Sequence, residues 1–513
     1  MAPWACAWAL SWSGAAWPQA ATPDAAAAAP AAVNRPPSLS VGATLAATNN
    51  GGLDASGREQ FDFITAVRPE LTIVRASPGL SVDVRAAASL VDYANGSQPN
   101  SVLPDARGAI NSTLLDRWLY FNAAAYIRSA EADPFGVRTD DLTAANRQVE
   151  SGFLAGPSLQ HDFGPNSSFL ARQQFAMAHN DAGDGARLSS NLTLLRFERR
   201  PTPLGVSADV SRLDNHAINQ GDTNYSLTTA RLRAALLLGD EVEVGALVGK
   251  DRSDYLLSRH TDPLYGGALD WNPGPRTHFQ LELEHRYFGQ SGTLQFDHRT
   301  PFLTLAIVLR RQPVDAGSSF DTSGQGADLR SALNAILTTR YPDPGVRSGV
   351  VDGIVSSSGL NPETAGAVSI LGDYPQLQTA AQVGLTLLGT LNTLNLTVYS
   401  TTTRALTRDG EPLPVPSVTG YDTRQRGATL QFEHRISPQL SATLQGNWAR
   451  IEGLGADAVD RSNEQTWRAS VLRHLSPRSD LSVGLQWYRF TTTAAGLQSF
   501  DATLAIVGLS HRF

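Results

Sequence analysis

From Pro37 to Phe513 the chain repeats one unit, a run of roughly ten or more residues in which apolar and polar side chains alternate. In Gln439 to Ile451, Leu440, Ala442, Leu444, Gly446 and Trp448 are interleaved with Ser441, Thr443, Gln445 and Asn447. In His278 to Tyr287, Phe279, Leu281 and Leu283 alternate with His278, Gln280, Glu282, Glu284 and Arg286. Asp480 to Phe490 repeats the pattern with Leu481, Val483, Leu485 and Trp487 against Ser482, Gly484 and Gln486. A period of two is that of a strand whose successive side chains point to opposite faces, so each segment has one oily and one wet side.

The connections fall into two kinds. Short turns occur at Ser77-Pro78-Gly79, Gly164-Pro165-Asn166, Leu238-Gly239-Asp240, Ser437-Pro438 and Ser476-Pro477-Arg478. Between them lie longer polar loops, among them Asn95 to Asp105, Glu131 to Asn146, Arg404 to Thr423 and Glu452 to Glu464. Short turns on one rim and long loops on the other are the pattern of a bacterial transmembrane β-barrel. The segments number about 22, within a range of 18 to 22. The expected fold is therefore all-β, an antiparallel up-and-down barrel over residues 38–513. An even count returns the chain to the periplasmic rim, where the last strand closes on Leu509, His511 and Phe513. That ending is similar to the C-terminal signal by which outer-membrane barrels are recognised for assembly.

Closure explains the composition. In lipid every backbone polar group must be paired, so strands can span only as a closed sheet. Charged residues make up 17% of the 513-residue chain, below the roughly 25% of soluble proteins. No apolar run after the N-terminus approaches the ~20 residues of a membrane helix, so a helical membrane protein is excluded. The net charge of -7 excludes nucleic acid as the partner. Cys6 is the only cysteine, which removes disulfide frameworks and cysteine metal clusters. Trp118, Trp271, Trp448, Trp487, Tyr488 and Phe490 fall near strand ends, where the aromatic girdles of the two interfaces sit, and for each one alone an ordinary core aromatic is the preferred expectation.

The start of the chain reads as an export signal over residues 1–20, with an apolar run from Trp4 to Trp17, followed by an Ala/Pro-rich periplasmic spacer over 21–37. No basic residue precedes Arg35, so the true start is expected further upstream. The other break in the strand pattern is Gln312 to Tyr374. There Leu329, Leu333, Ile336 and Leu337 have helical spacing, Tyr341-Pro342-Asp343-Pro344-Gly345 interrupts it, and Val346, Val350 and Ile354 resume it. Two short amphipathic helices are expected, Asp328 to Thr339 and Val346 to Val355. Strand parity sets them on the long-loop side, either as an external cap or folded into the lumen.

Several local sequences carry a further likeness. They are Phe61-Asp62-Phe63-Ile64-Thr65, Asp133-Pro134-Phe135-Gly136, His161-Asp162-Phe163-Gly164, Arg286-Tyr287-Phe288-Gly289, Asp297-His298-Arg299-Thr300 and the Pro342-Asp343-Pro344 insertion. In this order the chain resembles the outer-membrane β-barrel family associated with PEP-CTERM/exosortase systems and exopolysaccharide loci of Gram-negative bacteria. The resemblance implies an outer-membrane location and a role in passage or anchoring of polysaccharide. It implies no catalytic residues.

Acid, histidine and arginine recur at Glu284-His285-Arg286, Asp297-His298-Arg299 and Glu433-His434-Arg435. Adjacent strand residues point to opposite faces, so each histidine is turned away from its neighbouring carboxylate and forms no acid/base dyad with it. No enzyme, metal site or cofactor is expected. The polar face itself remains, and Glu282, Glu284, Arg286, Asp297, Arg299, Glu433, Arg435 and Arg468 are expected to line the lumen. Mixed charge among hydroxyl and amide groups suits a neutral or mildly anionic hydrated polymer. The competing expectation is that these residues pair across strands and stiffen the wall. The leading function is a pore or conduit for exopolysaccharide, with a non-conducting anchoring barrel as the alternative. A TonB-dependent receptor also has 22 strands, but its lumen holds a separate plug domain, for which the short spacer leaves no room. The expected partners are the outer-membrane bilayer, the barrel assembly machinery, polysaccharide and periplasmic export components.

Overall fold

A computed structural model describes residues 36–116, 118–138, 142, 145–181, 187–218, 223–255, 258–314, 329–338, 340–341, 347, 350–351, 354, 376–406, 422–454 and 459–513. The export signal and almost all of the spacer lie outside the described residues. The strands are β1 (Ser38–Thr48), β2 (Asp62–Ser77), β3 (Leu80–Tyr93), β4 (Ser101–Leu115), β5 (Leu119–Glu131), β6 (Arg147–Asp162), β7 (Ser167–Asn180) and β8 (Arg187–Arg199). They continue as β9 (Leu204–Ile218), β10 (Thr223–Leu238), β11 (Val242–Tyr255), β12 (Ser258–Gly274), β13 (Thr277–Arg286), β14 (Gly289–Arg299) and β15 (Leu303–Val314). After the inserted helix α1 (Leu329–Leu337) come β16 (Gln376–Leu388), β17 (Asn392–Ala405), β18 (Thr423–Ser437), β19 (Leu440–Gly453), β20 (Arg461–Ser476), β21 (Ser479–Thr492) and β22 (Phe500–Arg512).

Each strand pairs antiparallel with its chain neighbours, and β22 returns to β1 in a register running from Ser40 opposite Arg512 to Thr48 opposite Leu504. The sheet is thus a closed barrel of 22 strands, the number the alternation gives. Every turn after an even-numbered strand is two to four residues long, whereas the loops after β1, β5, β15 and β17 run over 49–61, 132–146, 315–375 and 406–422. The inserted segment is accordingly 315–375, three residues shorter at its start than expected, because Gln312, Pro313 and Val314 complete β15 against Gln378, Leu377 and Gln376. The strands run from 10 to 17 residues, and most exceed the ~9–11 that cross a bilayer and so project beyond it.

The two faces have opposite chemistry. Leu45, Val248, Leu283, Val483 and Leu485 are exposed on the outer face, where hydrocarbon replaces a protein core. Arg231, Glu282, Asn395, Gln431 and Glu433 are buried on the inner face. Trp118, Trp271 and Trp448 are exposed, as girdle residues are. Tyr488 and Phe490 are not: both are buried on the inner face, packed with Phe500, Tyr93 and Ile64. The reason is parity, since Leu481, Val483, Leu485 and Trp487 take the outer face of β21 and leave the even positions inside.

Candidate functional site

The inner face of the barrel divides into a charged sector and an uncharged one. In the charged sector Arg231 and Arg233 of β10 reach along the wall to Glu282 and Glu284 of β13. Arg231 Nη1 donates to Glu284 Oε1 at 2.6 Å and to Glu282 Oε1 at 3.2 Å, while its Nε contacts Asp209 of β9 at 3.2 Å. Arg233 contacts Glu243 of β11 at 3.1 Å and Glu282 at 3.4 Å. Arg286 holds Asp251 of β11 at 2.8 Å, and Thr229 Oγ1 joins both of them. Three guanidinium groups therefore meet five carboxylates, all buried.

The reach from β10 to β13 skips two strands, about 14 Å at ordinary strand spacing. It is possible because the inner faces of β11 and β12 carry Gly245, Gly249, Gly266 and Ala268 between them. The register sets Arg231 opposite Gly249 and Glu284 opposite Gly266. A Cβ on Gly245 would lie 2.8 Å from Arg233 Nε, so the arginine crosses the bare backbone of this glycine.

All eight expected lumen residues share the inner face by register, but they do not form one surface. Glu282, Glu284 and Arg286 belong to the ion-pair ladder and are engaged within the wall. Asp297 accepts a hydrogen bond from Gln295 Nε2 at 2.6 Å, and Arg299 donates to Pro275 O at 2.9 Å on the short-turn rim. Glu433, Arg435 and Arg468 lie on β18 and β20, opposite Thr443, Ser441 and Gln445. The histidines beside these groups face outward, as alternation requires: His285 packs on Tyr265, His298 bonds Thr277 and His434 bonds Asn392.

From β16 to β19 the inner face is mostly uncharged, with Thr386, Thr393, Asn395, Thr397, Gln425 and Gln431 buried. At its short-turn end this sector meets the insertion. Thr304 Oγ1 of β15 donates to Ala332 O of α1 at 3.4 Å, and Leu388, the last residue of β16, packs on Leu329, Leu333, Leu337 and Val351. Val350 and Ile354 pack on the same cluster, so the described part of the second expected stripe meets the first, while Val346 lies outside the described residues. The insertion leaves the long-loop rim and returns to it, yet α1 lies inside the barrel beside the periplasmic ends of β15 and β16.

At the opposite end the β5–β6 loop crosses the mouth. Arg138 donates from Nη2 to the Tyr399 hydroxyl of β17 at 2.8 Å and from its backbone N–H to Glu464 Oε2 of β20 at 3.1 Å. In a ring of 22 strands β17 is eleven from β6, the far wall. Phe135 is buried against Ile451 and Ala494, and Leu142 O accepts a hydrogen bond from Tyr93 at 2.9 Å. Asn146 Oδ1 accepts from Asp133 N at 2.8 Å and its Nδ2 donates to Asp133 O and Val137 O, fixing the loop's neck. Burial holds the Asp133 carboxyl above the usual aspartate range, with the charge of Asp460 adding to the shift and the hydrogen bond from Phe135 N opposing it. Tyr225 and Tyr287 join hydroxyls at 2.6 Å beside Phe288 on the same rim.

Sequence reading missed Arg138, Arg231 and Arg233. The last two had a signal: they stand two apart in Ala-Arg-Leu-Arg-Ala, on one face, as do Glu282 and Glu284. Closed sheet, loop sorting and outward apolar belt together decide the location. The chain is an outer-membrane β-barrel.

The barrel of the FrpB iron transporter from Neisseria meningitidis, F5-1 variant, is similar to it with a TM-score of 0.51 at 8% identity, over 94% of this chain and 83% of that one. The apoprotein form of that transporter gives 0.51 at 9% identity, over 94% and 82%. At such identity the likeness is one of fold. No protein-family model and no curated protein matches the sequence.

Proposed function

We propose that this barrel is a conduit for an uncharged or weakly anionic polymer of the exopolysaccharide class, closed from within by its own helix α1. The observation that carries the reading is the pairing of a mostly uncharged amide and hydroxyl wall on β16 to β19 with a helix seated at its periplasmic end. A wall of donors and acceptors matches the hydroxyls of a neutral hydrated chain without the strong binding that fixed charge gives to ions. The PEP-CTERM/exosortase resemblance points the same way and adds the expected genetic setting beside polysaccharide synthesis. Periplasmic export components and the barrel assembly machinery are the partners this role requires.

Deleting Ser323 to Glu363 and joining the ends by a short flexible linker is the test. The barrel should remain heat-modifiable on a denaturing gel, single-channel conductance should rise in a planar bilayer, and liposomes should become permeable to neutral oligosaccharides. Unchanged conductance would remove the insertion from gating. A folded barrel that conducts nothing in either form would reject the conduit and leave the anchoring role. Uptake of a ferric complex is a second reading, raised by the fold shared with FrpB, and tight binding of a ferric siderophore by the intact protein would favour it.

A further inference from the structure

On the mostly uncharged wall of β16 to β19, Asn395 and Glu433 each hold a buried polar atom without a hydrogen-bond partner. Asn395 of β17 is 1% exposed; its Oδ1 accepts from Thr386 Oγ1 at 2.9 Å, and its Nδ2 is unpaired. Glu433 of β18 is also 1% exposed; Thr393 hydrogen-bonds its carboxylate, and Oε1 is unpaired. Asn395 pairs with Gln431 and Thr393 with Glu433, so the free donor and the free acceptor are diagonal neighbours on one face. Buried groups of this kind are nearly always satisfied, by protein, water or ligand.

The combination selects its occupant. The amide N–H of Asn395 offers a bare cation no ligand, and Glu433 repels an anion. A hydroxyl accepts from the one and donates to the other. We infer that Asn395 and Glu433 form a subsite for an uncharged saccharide unit, an inference that rests on reading the interior as a saccharide path. Leu388, opposite Thr393 in the register, packs on the α1 cluster, so the helix borders the subsite and its release opens it.

The test uses full-length protein in detergent, titrated calorimetrically with maltohexaose. Leu333, fully buried in α1, is replaced by glutamate to expel the helix; the Ser323 to Glu363 deletion serves if L333E does not insert. The L333E protein should bind maltohexaose at least tenfold more tightly than wild type. Adding N395A or E433A should weaken that binding at least tenfold, E433Q should retain most of it, and polyethylene glycol of similar mass should not bind. Equal affinity with and without N395A and E433A, or no binding by either released form, would mean that water alone meets these atoms and would overturn the subsite. Liposome permeability separates the two readings: passage with equal affinities sinks the subsite alone, and tight subsite binding without passage sinks the conduit alone.

Discussion

Replacing Arg231 with alanine removes the hub of the ion-pair ladder. The side chain is 5% exposed as a residue and makes contacts of 2.6 to 3.3 Å with Asp209, Glu282 and Glu284. Glu282 keeps Arg233 at 3.4 Å, but Asp209 and Glu284 lose their hydrogen bonds to the guanidinium. Breaking a buried pair from one side costs about 3–5 kcal/mol, because the remaining charge stays desolvated. If lumen water reached the carboxylates freely, the loss would fall to about 1 kcal/mol or less, as for exposed pairs. Urea unfolding of barrels refolded into lipid vesicles, followed by tryptophan fluorescence, measures the difference. R231A should lower stability by about 3–5 kcal/mol, and the cycle completed with E284Q and R231A/E284Q should show coupling of at least about 1.5 kcal/mol between the two residues. A loss under about 1 kcal/mol with no coupling would refute the ladder as a sealed wall and return its carboxylates to the lumen surface.

Deleting Phe513 should reduce outer-membrane levels in fractionated cells, because its backbone N–H closes the seam on Leu39 O at 2.9 Å and its ring packs edge-on against His511; unchanged levels would refute the assembly role. R138A should release the β5–β6 loop from the far wall, seen as faster proteolysis near Asp133 with the barrel still heat-modifiable. Because burial raises the Asp133 pKa in the closed loop, closure binds a proton more tightly than opening does. That stabilisation is complete below the ordinary aspartate range near ~4 and is lost as pH rises through the raised value. Proteolysis with an acid-active protease should therefore slow as pH falls, and D133N should remove the dependence.

Strand number, barrel closure and loop sorting were legible because a period of two and turn residues are local signals. The helical stripe of Leu329, Leu333, Ile336 and Leu337 was legible for the same reason, and it coincides with α1. Where that stripe docks was not, since apolar spacing states that a face is buried and not which wall buries it; Thr304 and Leu388 decide that only in three dimensions. The ladder was half visible. Glu282, Glu284 and Arg286 were expected on the inner face and share it by register, but Arg231 and Arg233, the partners of the two glutamates, lie three strands away on β10 and are reached only across Gly245, Gly249 and Gly266. Three of the motifs that carried the family resemblance are rim structure: Asp62 accepts hydrogen bonds from Asn95 N and Ser97 N, Phe135 anchors the crossing loop, and His161 stacks on Trp118 at 3.7 Å, while Pro342-Asp343-Pro344 lies outside the described residues.

The insertion is tethered at both ends to the same rim, through Val314 and Gln376, which pair with each other in the sheet. A stopper of that kind cannot diffuse away or be diluted. Because α1 and its seat belong to one chain, seating and unseating are a unimolecular equilibrium. If α1 closes the barrel as proposed, the closed fraction is the same in a cell with ten copies as in one with ten thousand, and only something that touches the helix or its seat can change it.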